Sequence, residues 1–455
     1  MKIIIVGLGQ TGRLLAAVAS KEHHEVVVVD NNKNVVEELT EKYNVNGVVG
    51  SGGSRKILLQ AGAESADLLV ALTPYDELNI LACATAKKLG TRETAVRIHC
   101  PEFDEDEAYI MEEYGIDRVL NPKKEVAKEI LLHTELPGAL RTEAFFDRKL
   151  VIAELVVQEN WMIANKKVQQ VKEFFETDML VVAIYRKQQM IIPDGSAVLL
   201  PGDKIEIIVP VKAIRHIIRK LHMNKKQVKS ILMVGCGTTG YYLAQGLCAS
   251  GCSLKILEKD QERCIELSKL FPGAQVICGD AIDTRILEEE GIRKMDSCIS
   301  VTDDDRTNLA VSLYAHAEGV SQVLTKINEM GYDVLLRKTD ISMCVSPSSV
   351  IVEELLSYIR NLSSSDRSRI KKLYRIADDK AEAIAFEVTE SCPKVGVPFK
   401  ESAFKLKKGI LVASIIRGKD VIIPDGNSSM QAGDTVIVVT NLSNVLKEID
   451  DIFAV

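Results

Sequence analysis

The sequence predicts an α/β chain made of two tandem Rossmann-like domains, each followed by a small α+β domain. Three observations carry that prediction. A Gly-x-Gly-x-x-Gly loop follows an apolar strand candidate twice, as Gly7, Gly9 and Gly12 behind Ile3–Val6 and as Gly235, Gly237 and Gly240 behind Ile231–Val234. The residues around the two loops recur in register. The strand candidates are continuously apolar, which fits parallel strands buried on both faces.

The register is detailed. At an offset of 228, Gly7, Gly9, Gly12 and Asp30 fall on Gly235, Gly237, Gly240 and Glu258. At 229, Gly50, Gly62, Asp67, Thr73, Asp76, Asn79 and Gly90 fall on Gly279, Gly291, Asp296, Thr302, Asp305, Asn308 and Gly319. At 225, Pro122 falls on Pro347, and at 231 the Pro-Asp-Gly of Pro193–Gly195 falls on Pro424–Gly426. Small changes of offset are what loop insertions leave behind.

In the first repeat the strand candidates are Ile3–Val6, Val26–Val29, Val45–Val49, Leu68–Leu72, Ala95–Ile98 and Arg118–Leu120. Helical stretches separate them, so right-handed crossovers give the Rossmann strand order. The later part of each repeat holds short β segments between turn residues, such as LVVAIYR, QQMIIPDG and LLPGDKIEIIV. The expected division is a Rossmann domain over 1–122, a connecting helix over 123–142 and an α+β domain over 143–224. The second repeat divides into 225–348, 349–371 and 372–455. A basic segment, Arg219–Ser230, reads as the solvated link between repeats.

At 455 residues, with 46% hydrophobic and 27% charged residues, the chain is ordinary for a globular protein. Its net charge of -7 and 5% aromatic content argue against a nucleic-acid partner, which needs Lys and Arg for phosphates and rings for stacking. No apolar run approaches the roughly 18 residues of a membrane span, and glycines break the N-terminal apolar stretch too early for a signal peptide. A cytoplasmic location follows as an expectation. The ten cysteines show no C-x-x-C pair and read as buried structural thiols rather than metal ligands.

In the fingerprint the first glycine permits a tight turn, the second lets backbone approach a pyrophosphate, and the third allows close helix–strand packing. The helix behind it aims free N–H groups and its positive end at phosphate. Asp30 and Glu258, directly after the second strands, are placed to accept bonds from ribose hydroxyls and to repel a 2′-phosphate, or else are exposed strand-end acids. Arg13 in the first helical turn opposes the helix dipole, which a phosphate would relieve, whereas Tyr241 stands at its place in the second repeat. Thr73 and Thr302 read as helix N-caps, with Pro74 at the first helical position. They also lie by the crevice at the strands' carboxyl ends. Arg97 and Lys326 either reach a phosphate or are solvated.

Together with ADLLVALTPYDELNILACATAKKLG and the IIPDG…GD pattern, these tandem units resemble the TrkA family, peripheral subunits of bacterial Trk potassium uptake. That family is built from RCK (KTN) domains, and the resemblance spans essentially the whole chain. It implies NAD(H), or ATP/ADP, bound in the Rossmann sites. It also implies self-association into a ring on the inner face of the membrane and a TrkH/TrkG-like potassium-translocating partner. The implied first site comprises Gly7, Leu8, Gly9, Gln10, Thr11, Gly12, Arg13, Asp30, Asn31, Ser51, Gly52, Thr73, Pro74 and Arg97. The second comprises Gly235, Cys236, Gly237, Thr238, Thr239, Gly240, Glu258, Lys259, Asp280, Ala281, Thr302 and Lys326. Gly279-Asp280 keeps the family's Gly-Asp after the third strand, whereas the first repeat has Gly50-Ser51.

Two functions compete. One is a non-catalytic, nucleotide-gated regulator of potassium transport. The other is an NAD-dependent oxidoreductase, which needs an acid/base residue beside the nicotinamide. None of His23, His24, His99, His133, His216, His222 and His316 sits in a motif, and the β-rich domains are short for a substrate domain, so the regulator is the expected function.

Overall fold

The computed structural model describes residues 1–454 except 105, 135–141, 146–148, 188, 222–227, 330, 333–340, 342, 364–367, 377–379, 403 and 442–444. The first repeat runs β1 (Lys2–Val6), α1 (Gln10–Lys21), β2 (Glu25–Asp30), α2 (Lys33–Lys42), β3 (Asn46–Val49), α3 (Arg55–Gln60), β4 (Leu68–Ala71), α4 (Asp76–Leu89), β5 (Glu93–Arg97), α5 (Glu107–Tyr114), β6 (Arg118–Leu120) and α6 (Pro122–Thr134). It continues with β7 (Thr142–Phe145), β8 (Leu150–Val156), α7 (Val168–Phe175), β9 (Leu180–Arg186), β10 (Gln189–Ile191), β11 (Lys204–Pro210) and α8 (Val211–Lys220). The second repeat runs β12 (Ser230–Val234), α9 (Thr238–Ala249), β13 (Ser253–Glu258), α10 (Gln261–Leu270), β14 (Gln275–Cys278), α11 (Thr284–Glu289), β15 (Ser297–Ser300), α12 (Asp305–Ala317), β16 (Gln322–Lys326), β17 (Met343–Val345) and α13 (Pro347–Ser363). Its last elements are β18 (Ser368–Ile376), β19 (Ala381–Val388), β20 (Ile410–Arg417), β21 (Asp420–Ile422) and β22 (Thr435–Asn441).

Residues 1–131 with 229–352 form one unit, and 132–228 with 353–455 another. The first unit holds two six-stranded sheets, ordered β3-β2-β1-β4-β5-β6 and β14-β13-β12-β15-β16-β17. All the pairings are parallel. This is the Rossmann order, with its switch point between the first and fourth strands of each sheet. Val6 pairs with both Val29 and Ala71, so the loops after β1, β2 and β4 leave the sheet at one level. Val234 does the same with Leu257 and Ser300. Ile4, Val6, Val27, Val29, Leu69, Ala71 and Val96 are buried beneath those loops in one apolar cluster. Fully burying each such aliphatic side chain contributes roughly 1.5–3 kcal/mol, so the crevice rests on a rigid floor.

The second unit holds two five-stranded antiparallel sheets, β10-β9-β11-β8-β7 and β18-β19-β22-β20-β21. Their repeated motifs have structural work. Asp203 takes a two-pronged contact from Arg186 (Nε–Oδ1 2.7 Å, Nη2–Oδ2 2.6 Å) and also accepts from Leu200 N. Asp434 repeats this with Arg417 and Gln431 N. Within Pro-Asp-Gly, Asp194 and Asp425 accept backbone N–H groups two and three residues on, closing the turn.

Several boundaries differ from the sequence reading. The helix expected over 349–371 spans Pro347–Ser363, and by Ser368 the chain is already a strand. Of the expected helix over 123–142, residues 135–141 lie outside the described residues, as do 222–227 of the basic link. The cysteines are not all buried: Cys248 and Cys278 are exposed.

Candidate nucleotide site

Each fingerprint loop is built around its strand-end acid. Asp30 accepts from Leu8 N (2.7 Å) through Oδ2 and from Asn32 N (2.8 Å) through Oδ1. Glu258 accepts from Cys236 N (2.8 Å), Lys259 N and Asp260 N. The acids therefore brace the loop, and both Asp30 oxygens and Glu258 Oε2 keep acceptor capacity for a ribose hydroxyl. Gly7 and Gly235 take φ of +93° and +87°, a conformation that glycine adopts without penalty. The helices behind, α1 and α9, start with Gly9 and Gly237 as N-caps that carry no side chain to satisfy the first N–H groups. Those donors face the loop, ready for an anion.

In the second repeat a cavity of about 440 Å³ opens at this point. Of the residues named from the sequence it brings together Gly235, Gly237, Thr238, Thr239, Glu258, Lys259, Asp280, Ala281 and Thr302. Cys236, Gly240 and Lys326 are not in that lining but touch it, through Cys236 N to Glu258, Gly240 against Gly235 O and Lys326 to Asp303. Cys236 is fully buried, and burial pushes its thiol up to about 12, so it stays protonated. The cavity also holds Ile282, Asp303, Asp304 and Thr307, which sequence reasoning missed. Its size suits a nucleotide, since ligand pockets run to about 300–1,000 Å³.

Thr73 and Thr302 do not cap helices, contrary to the sequence reading. Helix α4 starts at Asp76 with Tyr75 as its N-cap, so Pro74 precedes the helix. In the second repeat Asp304 caps α12, accepting from Arg306 N and Thr307 N. Thr73 is held instead by Asn79. The fully buried Asn79 amide accepts from Thr73 N and Oγ1 and donates to Thr73 O and Arg97 O. Asn308 repeats the set with Thr302 and Lys326. These asparagines lock the ends of the fourth and fifth strands together. The signal for them was present, because both stood in the repeat register.

Arg13 is already paired. Its guanidinium meets Glu38 at 2.7 Å and donates to Leu8 O. In the second repeat Arg263, from the next helix, makes the matching bond to Cys236 O at 3.2 Å. Arg263 is 27 positions away from Cys236 and invisible to local spacing. Asn31 and Gln10 are exposed beside their loops. Gly52 packs against Val6, where a Cβ would stand 2.1 Å from Val6 Cγ1, and Ser51 brings no carboxylate to the end of β3. Asp280 does, closing its turn on Ile282 N at 3.0 Å.

The two cations differ in exposure: Lys326 is buried and Arg97 half-buried. Lys326 is 3% exposed and pairs with Asp303 at 2.8 Å. Arg97 stands at the matching place in the first repeat, where Pro74 replaces Asp303. Burial, opposed by Asp76, lowers the Arg97 pKa to about 10, and its Nε is buried without a hydrogen-bond partner among the described residues. Burial and then Arg97 hold His99 down to about 4, so it stays neutral at pH 7.

Glycine loop, strand-end acid and a cation ending the fifth strand, all occurring twice, define a duplicated dinucleotide-fold protein with two α+β domains. The TrkA-N domain family matches residues 3–122 and 231–347, and the TrkA-C domain family matches 152–222 and 383–454. The Trk system potassium uptake protein TrkA of Halomonas elongata is 30% identical over 458 residues, covering 100% of this chain and 99% of the relative. The protein of the same name from Haemophilus influenzae is 30% identical over 457 residues, covering 100% and 98%. The GsuK channel bound to NAD aligns with a TM-score of 0.59 at 19% identity, over 97% of this chain and 77% of that one. The chain belongs to the TrkA family of Trk-system potassium uptake proteins. Among the described residues no helix is long and apolar enough to cross a membrane.

Proposed function

We propose that the chain is a nucleotide-sensing regulatory subunit: NAD(H), or ATP/ADP, binds in the Rossmann crevices, shifts a ring of these chains, and so gates a membrane potassium-translocating partner. The working domains are 1–122 and 225–348 for sensing, with 143–224 and 372–455 as the α+β domains that transmit the change. The ring sits peripherally on the inner face of the membrane.

The observation that carries the reading is Arg97. A half-buried guanidinium whose Nε is shut off from solvent without a partner among the described residues, at the carboxyl end of a parallel sheet, is costly unless an anion arrives to pair with it. A nucleotide phosphate on the Gly7–Gly12 loop is such an anion. The NAD carried by the GsuK channel supports a dinucleotide as the occupant of this fold. Asp30 and Glu258 favour free ribose hydroxyls over a 2′-phosphate, so NADP is disfavoured. A ligand gates only as far as it binds two conformations unequally, so the ring must present this crevice in two shapes.

The test is a melting panel with NAD, NADH, ATP, ADP and NADP. The first four raise the melting temperature and NADP does not, and Asp30→Ala and Glu258→Ala each remove part of the response independently. A flat response to every nucleotide would end the sensing reading.

A further inference from the structure

The second site holds an acid where a phosphate belongs. Asp303 Oδ2 lies 3.9 Å from the point where a Cβ on Gly237 would stand, over the glycine that must admit a phosphate. Lys326 holds the other oxygen at 2.8 Å, while the Asp303 side chain stays 79% exposed. A second cation comes from the other repeat. Lys123, at the start of α6 in the first Rossmann domain, donates from Nζ to Thr238 Oγ1 at 3.3 Å. Thr238 is the first residue of α9 and lines the cavity, as Asp303 does.

The first site is built differently at each of these places. Pro74 stands for Asp303, Arg97 for Lys326, and Ser348, the counterpart of Lys123, brings only a hydroxyl to Thr11 Oγ1 at 3.0 Å. Each fingerprint helix is thus touched by the helix that leaves the other Rossmann domain, but only the second receives a charge.

We propose that Lys123 is a phosphate-contact residue of the second site, delivered by the first repeat, and that Asp303 is the internal anion a phosphate must displace. This rests on the nucleotide reading above. Crowding by protein atoms raises the Asp303 carboxyl, yet Lys326, then Lys123 and His99, hold it below the usual carboxylate range. It is therefore an anion at neutral pH. A neutral His99 beside them leaves the positive charge to the lysines. An entering phosphate takes over from the carboxylate a charge-assisted bond to Lys326 and replaces the neutral Thr238 acceptor of Lys123 with a charged one, which is the stronger of the two. Asp303 sets a threshold on how much phosphate charge the second site rewards, and the first site has no such threshold. Filling the second site also pulls on Lys123, the second residue of α6, which links its occupancy to the first repeat.

The experiment titrates ADP and adenosine calorimetrically into the full chain carrying Asp30→Ala, so that binding reports the second site. Lys123→Met weakens ADP about tenfold and leaves adenosine within twofold. Asp303→Asn tightens ADP severalfold, because both lysines then face the phosphate alone. Lys128→Met, on the same helix and paired with Glu125, changes neither. ADP affinity unchanged by Lys123→Met, or ADP and adenosine weakened equally, overturns the proposal while the nucleotide reading stands. If the Asp30→Ala parent takes up no ADP, the nucleotide reading of this site fails, and the role of Lys123 fails with it.

Discussion

The glycines of each loop make separable predictions, because the space beside them differs. A Cβ on Gly12 would stand 2.1 Å from Gly7 O, and one on Gly240 would stand 2.5 Å from Gly235 O. An ordinary carbon–oxygen contact is about 3.3 Å, so α1 must retreat by roughly 1 Å against backbone, which has no rotamer to yield. Overpacking of this kind costs about 1–3 kcal/mol, and replacing a helical glycine by alanine returns about 1 kcal/mol. With the clash near the upper end, the net loss is about 2 kcal/mol per site, or about 4–8 °C of melting temperature. Gly9 has nothing within 4 Å and Gly237 meets only Asp303, at 3.9 Å. As N-cap positions they lose about 0.5 kcal/mol on substitution by alanine, near 1–2 °C. A methyl there stands where phosphate must approach. At a ligand concentration 100 times Kd, binding stabilises by about 2.7 kcal/mol, and a hundredfold weaker site retains only about 0.4 kcal/mol. Differential scanning fluorimetry with and without nucleotide separates the two cases. Gly9→Ala/Gly237→Ala lowers the unliganded melting temperature by only a few degrees and loses the nucleotide shift, whereas Gly12→Ala/Gly240→Ala lowers the unliganded value severalfold more. Equal unliganded losses in the two double variants, or a full nucleotide shift in the first, would refute the reasoning.

Other positions follow from single contacts. Arg97→Met removes a half-buried cation whose Nε has no partner among the described residues, so the unliganded chain melts no lower while the first site's phosphate-dependent stabilisation is lost, read in the same assay. Arg360 and Glu382, 1% and 2% exposed, form two bonds of 2.8 and 3.1 Å. Arg360→Met strands a buried carboxylate and costs about 3–5 kcal/mol in urea unfolding, and Glu382→Leu added to it recovers most of that. Burial lowers the His133 pKa to about 3 from 6.5. The unfolded chain then binds the proton more readily, so the stability from neutral His133 is complete above about pH 6.5 and is lost as pH falls toward 3. His133→Gln flattens that part of the pH–stability curve, measured by urea midpoints at stepped pH.

The duplication, the strand order and the fingerprint loops were legible in the sequence because they depend on local rules. A turn needs glycine at Gly7, a parallel strand buried on both faces is continuously apolar, and an acid ending β2 lies next to the loop after β1 by sheet pairing alone. The Thr73 reading went astray for the same local reason. A threonine followed three residues later by an acid looks like a cap, but Asn79 holds it from inside the protein and the helix starts later.

What the sequence by itself determined is therefore the repeat, the Rossmann scaffold and the loop-and-acid core of both sites, since each is encoded within a few residues or by exact recurrence. Only the tertiary structure decided that Arg97 keeps a buried Nε without a partner among the described residues while Lys326 is paired. The same holds for Arg263 standing in for Arg13, and for Lys123 crossing from one repeat to the other's loop. Those outcomes depend on which side chains meet across tens or hundreds of residues, and charge pairing in a crevice is set by that proximity rather than by spacing along the chain.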